Sequence, residues 1–262
     1  MSSRISAVAT RFVTLAAGAL ALAAGTALSA AEPSPTVTRW QAELARVDGL
    51  LRAGSWEQAR AASDGLVAEL LSDLKGGPAG AGLLAAAYAQ RALAEAGVGE
   101  REEALWSLGI AGCLEPAFAA TPLDGFGEAG ERLGSWRRAE PDARAGAVRS
   151  DTPGLVPPAL LESPTIVFRA SAEVLRAFDL TLAVEVVVDA EGRPRAPSVQ
   201  GSLDNPSPVA ASLEVLRQWR FEPARLDGRA VPLVVILELP LTQGAADRAR
   251  GTLDALHAVS EP

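Results

Sequence analysis

The chain has 262 residues, 24 Lys and Arg against 32 Asp and Glu, one His, one Cys and a formal charge of -8. Those counts exclude a multi-His or Cys-rich metal site, an internal disulfide and a CxxC redox pair. The net acidity, with no run of Lys or Arg, argues against a nucleic-acid partner, whereas 48% hydrophobic residues are ample for globular cores.

Residues 1–31 read as a secretory signal: Arg4 and Arg11, then an apolar stretch from Phe12 to Leu28, then Ser29, Ala30 and Ala31. The stretch is short for a span and rich in Ala and Gly, so cleavage after Ala31 and a periplasmic mature chain are expected. The alternative is an uncleaved inner-membrane anchor.

From Thr38 to Arg138 the spacing is helical. Trp40 to Ala53 precedes a helix over Ser55 to Leu74, where Trp56, Ala59, Leu66, Val67, Leu70, Leu71 and Leu74 share a face behind Ser55 as N-cap. Gly76, Gly77 and Pro78 end it. Helices over Ala79 to Ala96 and Glu100 to Leu114 follow, with Pro116 beyond. Counting back from Pro116, Tyr88, Ala92, Ala104, Leu108 and Ala111 supply aromatic, small, small, bulky and small side chains where two helices would cross, and this pattern resembles a tetratricopeptide repeat. Glu95 stands where the repeat usually has an aromatic, and an unrelated helical bundle is the alternative. Gly127 to Arg138, with Leu133 and Trp136, would cap the domain. The carboxylates of Glu102 and Glu103 read as solvated helix charge.

Residues 139–163 carry Pro141, Pro153, Pro157 and Pro158 with no sustained period and read as a linker, about 80 Å long if fully extended. Beyond it, Leu180 to Asp189 alternates apolar and polar, the signature of a half-buried strand. Asp189 to Gly192 turns the chain and Arg195 to Val199 returns antiparallel. Pro208 to Trp219 reads as a helix with Ser207 as N-cap, presenting Val209, Leu213 and Leu216. Val231 to Leu241 is a last strand with Val231, Leu233, Val235, Leu237, Leu239 and Leu241 on one face. Trp219 and Phe221 would anchor the helix end, Pro223 stops regular structure, and Asp227-Gly228 turns into the last strand.

This ordered series, VVVDAEGRP (186–194), LEVLRQWRFEPARLDGRAVP (213–232) and LVVILELPL (233–241), resembles the C-terminal domain of the TonB energy transducers over residues 164–243. Gly192, Trp219, Arg220, Phe221, Pro223 and Gly228 carry the signature and read as structural. The expected fold is therefore α+β. A helical, tetratricopeptide-like hairpin domain over 38–138 would precede a small two-layer domain with a three-stranded antiparallel sheet and a packed helix, and 244–262 would be a polar tail.

The resemblance implies recognition by strand addition, in which an extended segment of an outer-membrane transporter pairs with the last strand. The candidate partner-binding residues are Leu233, Val234, Val235, Ile236, Leu237, Glu238 and Leu239. The same unpaired backbone also invites a homodimer, while Glu238 and the flanking Pro232 and Pro240 are devices that protect an edge. The chain departs from a transducer in three ways: the anchor has no His, no long Pro-rich spacer is present, and Phe168 and Ala170 to Asp179 replace the family's Tyr-Pro pair and Gly. The leading expectation is a non-enzymatic periplasmic protein holding envelope protein partners, with a membrane-anchored energy transducer as the alternative. No GxSxG, phosphate-loop or GxGxxG motif points to an enzyme or cofactor, and His257 lies in the tail. Residues 32–163 hold 12 basic and 19 acidic groups, so electrostatic attraction to a basic partner is expected on the helical region.

Overall fold

The structure, a computed structural model, describes residues 34–73, 78–139, 144–164, 181–200 and 206–240. The expected signal segment, the polar tail and the stretch around Phe168 and Ala170 to Asp179 lie outside them.

Helix α1 (Pro35–Arg52) starts earlier than expected, because Ser34 caps it by accepting from Val37 N and Pro35 occupies its first turn. Trp40, Leu44, Val47 and Leu51 form its buried stripe. Gly54, at φ 71°, ends the helix in the left-handed region, with Ser55 N donating to Leu50 O. Helix α2 (Trp56–Asp73) follows, and the Ser55 carbonyl accepts from Ala59 N as its position before the helix requires. Helix α3 (Pro78–Val98) opens on Pro78, so that proline begins a helix as well as closing off the preceding one. Helix α4 (Arg101–Leu114), two 3₁₀ turns (Pro116–Ala120 and Asp124–Phe126) and helix α5 (Gly127–Ala139) complete the region.

Helix α3 is the centre of the region and packs against α1, α2, α4 and α5. It is buried almost all round, which explains its Ala-rich composition: small side chains let several helices approach. Tyr88, Ala92, Ala104, Leu108 and Ala111 are all buried. Gly97 serves a close approach too, since a Cβ there would lie 2.4 Å from the Trp56 ring.

The stretch read as a linker departs from that reading over its described part, 144–164. Strand β1 (Leu155–Val156) pairs with β6 (Arg225–Leu226), and β2 (Ala159–Glu162) pairs with β5 (Arg220–Glu222). Val148 N donates to Pro232 O at 2.9 Å. The prolines therefore mark breaks between short strands that need residues some 60 to 85 positions later, and no local period reveals such pairings.

The three-stranded antiparallel sheet is as expected. Strand β3 (Thr181–Val188) is central, with β4 (Pro194–Gln200) on one side and β8 (Leu233–Pro240) on the other. Helix α6 (Pro206–Leu216) begins two residues earlier than the sequence suggests, so Ser207 lies inside it rather than capping it. It also stops short of Trp219, which must leave helical geometry to lead into β5. Asp227 and Gly228, at φ 51° and 78°, close a two-residue hairpin between β6 and β7 (Arg229–Ala230) before the chain reaches β8.

The two regions share one hydrophobic cluster that runs from Trp40 through Tyr88 and Leu213 to Leu239. Helix α6 lies against α2, α3 and α4, so it belongs to both layers. Trp106 Nε1 donates to Leu213 O at 3.1 Å across this junction. Arg91 is its electrostatic hub, with Glu95 at 3.1 Å, Asp64 at 3.0 Å and Glu214 of α6 at 2.5 Å. Glu95 is only 1% exposed, and burial, opposed chiefly by the Arg91 charge, pushes its carboxyl up to about 7.

Candidate functional site

Strand β8 has two very different sides. Toward β3 it is paired along its whole length, from Val188↔Leu233 to Thr181↔Pro240. On its outer side, among the described residues, the contact is the single parallel bridge of Val148 to Leu233. Beyond that bridge, among the described residues, its outward N–H and C=O groups face no other strand. The side chains alternate as the sequence predicts: Leu233, Val235, Leu237 and Leu239 are buried, Val234 is half-buried, and Ile236 and Glu238 are exposed. Ile236 is 52% exposed, one of the three exposed large apolar side chains among the described residues. Its neighbour across the ladder on β3 is Glu185, which Arg144 holds at 2.6 Å.

The opposite edge of the sheet is covered. Cys113 Sγ of α4 donates to Pro197 O of β4 at 3.2 Å, and Arg144 Nη2 donates to Ala196 O at 2.8 Å. Burial against this wall pushes the Cys113 thiol up to about 11, so it stays protonated and packs as a small apolar group. A β-bulge places Ala196 and Pro197 opposite Val186, with Ala196 at φ 47°. Pro197 packs on Gly109 of α4, where an added Cβ would sit 3.3 Å from its ring. Glu102 then ties the two regions together, meeting Arg193 at 3.0 Å and Arg195 at 2.8 Å. Burial alone would raise the Glu102 pKa, but Arg195 and Arg193 together hold it below the usual carboxylate range. Glu102 is therefore a cross-region partner, not solvated helix charge, and the sequence held no signal for that because its partners lie 91 and 93 residues away.

The signature residues form the frame behind β8. Gly192, at φ 76°, is required by a close approach: a Cβ there would lie 1.8 Å from the Phe221 carbonyl oxygen. Phe221 N in turn donates to Gly192 O at 2.9 Å, so the β3–β4 turn and β5 are fastened together. Asp189 Oδ1 completes the turn by accepting from Glu191 N and Arg193 N. Trp219 and Phe221 are buried with ring centroids 6.3 Å apart. Arg220 is exposed and donates to the carbonyls of Arg217 and Trp219, while Pro223 is half-buried at the strand break. None of these residues lies on the outer side of β8. They position it.

Among the described residues no group of three or more His, Cys, Asp and Glu could hold a metal ion, and no helix is long and apolar enough to cross a membrane.

Among the described residues the small sheet thus has one edge covered and the other open, and it is backed by a helix and an aromatic anchor. Residues 179–239 match the model of the family described as Gram-negative bacterial TonB protein C-terminal, so a TonB C-terminal domain, a non-enzymatic module, is present in the chain. The match covers 61 of 262 residues and leaves the helical region outside it. No curated protein and no solved structure gives a significant match to the chain.

Proposed function

We propose that the chain is a non-enzymatic periplasmic protein of the TonB family that holds envelope protein partners through the outer edge of β8 and through its helical surface. The observation that carries this reading is the side of β8 that, among the described residues, is open from Val234 to Leu239, set against a fully paired inner side and a covered β4 edge. Main-chain pairing there would supply affinity, and Val234, Ile236 and Glu238 would read alternate side chains of the incoming strand. An outer-membrane transporter is the partner class that the family match favours. A second copy of the chain competes for the same backbone.

The packed junction favours an adaptor over a tethered transducer. Helix α4 on β4, Trp106 on Leu213 and Arg91 on Glu214 join the regions directly, where a transducer would need a long spacer. We place the boundary of the C-terminal module near Arg144, because strands from 155 to 162 pair with 220–226. We also propose that the helices form a tetratricopeptide-like hairpin, on the burial of Tyr88, Ala92, Ala104, Leu108 and Ala111. Capture from envelope extracts with the mature chain, alongside an Ile236→Pro variant, tests the reading. A transporter or other envelope protein retained by the parent and lost by the variant supports it, and retention by both overturns it.

A further inference from the structure

The junction between the regions holds a cleft of about 800 Å³, walled by α4 on one side and by β4 and the end of α6 on the other. Six arginines line it, Arg137, Arg144, Arg193, Arg195, Arg217 and Arg220, against the two carboxylates of Glu102 and Glu103. In a chain of formal charge -8 this is a local reversal of sign, contributed by both regions.

The six are not equivalent. Arg193 and Arg195 are matched by Glu102 and Asp189, and Arg144 by Glu185. Arg137 instead donates to the carbonyls of Ala119 at 2.9 Å and Thr121 at 3.4 Å. Arg220 likewise donates to the carbonyls of Trp219 at 2.8 Å and Arg217 at 3.2 Å. Among the described residues, Arg217 meets a carboxylate only at 3.9 Å, from Glu103. Among the described residues, Arg137 and Arg220 are thus pinned by carbonyls, and all three guanidinium groups are left without a close carboxylate. That arrangement suits bidentate capture of a carboxylate at little ordering cost.

Between these cations the lining is apolar and the walls touch, Gly109 against Pro197 and Gly112 against Ala119, beside Leu105 and Val199. From Glu102 to Cys113 helix α4 runs about 16 Å, at ~1.5 Å per residue. That length accommodates about five residues of extended chain at ~3.3 Å each. An extended strand places alternate side chains on opposite sides, so acidic groups can meet the arginines while apolar ones lie over the closed apolar seam between the walls. We infer that this cleft binds an acidic peptide segment in extended form, with carboxylates alternating with apolar side chains, and that such a ligand clamps the helical region to the sheet. The inference is independent of strand addition at β8.

The test uses the mature chain and a fluorescein-labelled Glu-Leu-Glu-Leu-Glu peptide, followed by anisotropy. Binding should weaken about tenfold in about 0.5 M salt, and the Gln-Leu-Gln-Leu-Gln peptide should bind about tenfold more weakly. Arg217→Gln with Arg220→Gln, and separately Arg137→Gln, should each lower affinity by a similar factor, and Arg217→Gln alone should lower it with the thermal midpoint unchanged. Ile236→Pro, if it abolishes partner capture, should leave this affinity intact. Equal binding of both peptides, unaltered binding by the arginine variants, or no binding of the acidic peptide at low salt overturns the proposal. So does displacement of the peptide by inorganic phosphate at equal concentration, which would assign the cleft to phosphate anions.

Discussion

The two edges of the three-stranded sheet solve the same problem in opposite ways. Strand β4 is bulged, carries two prolines in contact with their surroundings, and lies under helix α4, so its backbone is closed to any further strand. Strand β8 is straight in register, free of prolines between Leu233 and Leu239, and, among the described residues, open on its outer side beyond the Val148 bridge. An exposed edge is an aggregation hazard, and a fold able to seal one edge with a helix has the means to seal both. That it seals only one is the argument for function at the other. The helical region then has a structural duty besides any partner it holds, since it closes the β4 edge.

The strongest way to break this asymmetry is to release the helical region from α6. Arg91→Met leaves Glu95 buried without its cation and Glu214 without its close partner, so a loss of about 3–5 kcal/mol is expected by chemical denaturation. Glu95→Gln in the same background should restore part of it.

Proton linkage at the same hub comes next. Glu95 rests near 7 when folded against an ordinary value of 4.5, with Arg91, Ser107, Arg217 and Glu214 acting on it and Asp64 on the far side of Arg91. A carboxyl with a raised folded pKa binds its proton more tightly in the native state. Its contribution is therefore complete below about pH 4.5, declines as pH rises toward 7, and is level above that. The decline should amount to about 2–3 kcal/mol and should vanish in Glu95→Gln, read as denaturation midpoints across that window. A midpoint rising with pH in the parent but not the variant would contradict the assignment.

A finer wedge can be driven at the covered edge itself. Gly109→Leu places a branched side chain where even a Cβ would stand 3.3 Å from Pro197. Overpacking of this kind costs about 1–3 kcal/mol, and here it should also raise amide exchange along β4 while leaving β8 unchanged. The smallest effect on stability belongs to the open edge. Ile236→Lys, at a position 52% exposed, should shift unfolding by no more than about 0.5 kcal/mol. It should nevertheless cut capture of a strand-adding partner by about tenfold or more, because an edge lysine opposes pairing.

What the sequence disclosed was local. The alternation of Leu233 to Leu239, the Asp189 to Gly192 turn and the helical spacing of Ala59, Leu66, Val67 and Leu70 are each written within a dozen residues, and each is present in the structure. The features that distinguish the two edges were not local. Pairing of Ala159 with Glu222, the contact of Gly109 with Pro197 and the capture of Glu102 by Arg193 and Arg195 join positions far apart, where periodicity carries no information. The clustering of arginines escaped for the same reason: counting charge by region assigned the helices a net acidity, whereas the cleft gathers cations from both regions. Gly192 was legible as part of a motif, but the reason for it, a carbonyl 1.8 Å from its missing Cβ, required the fold.

The short strands of 144–164 also set an order of events. β1 and β2 find their partners only in residues 220–226, and Val148 bridges to Leu233. The helical region, in contrast, closes through neighbours in sequence and can form while the rest of the chain is still emerging. Until β5 arrives, Ala159 to Glu162 has no strand to join. Pairing satisfies that backbone but leaves the side chains of Val156 and Leu161 exposed, so apolar side chains stand uncovered in two places in the finished fold, here and at Ile236 of β8.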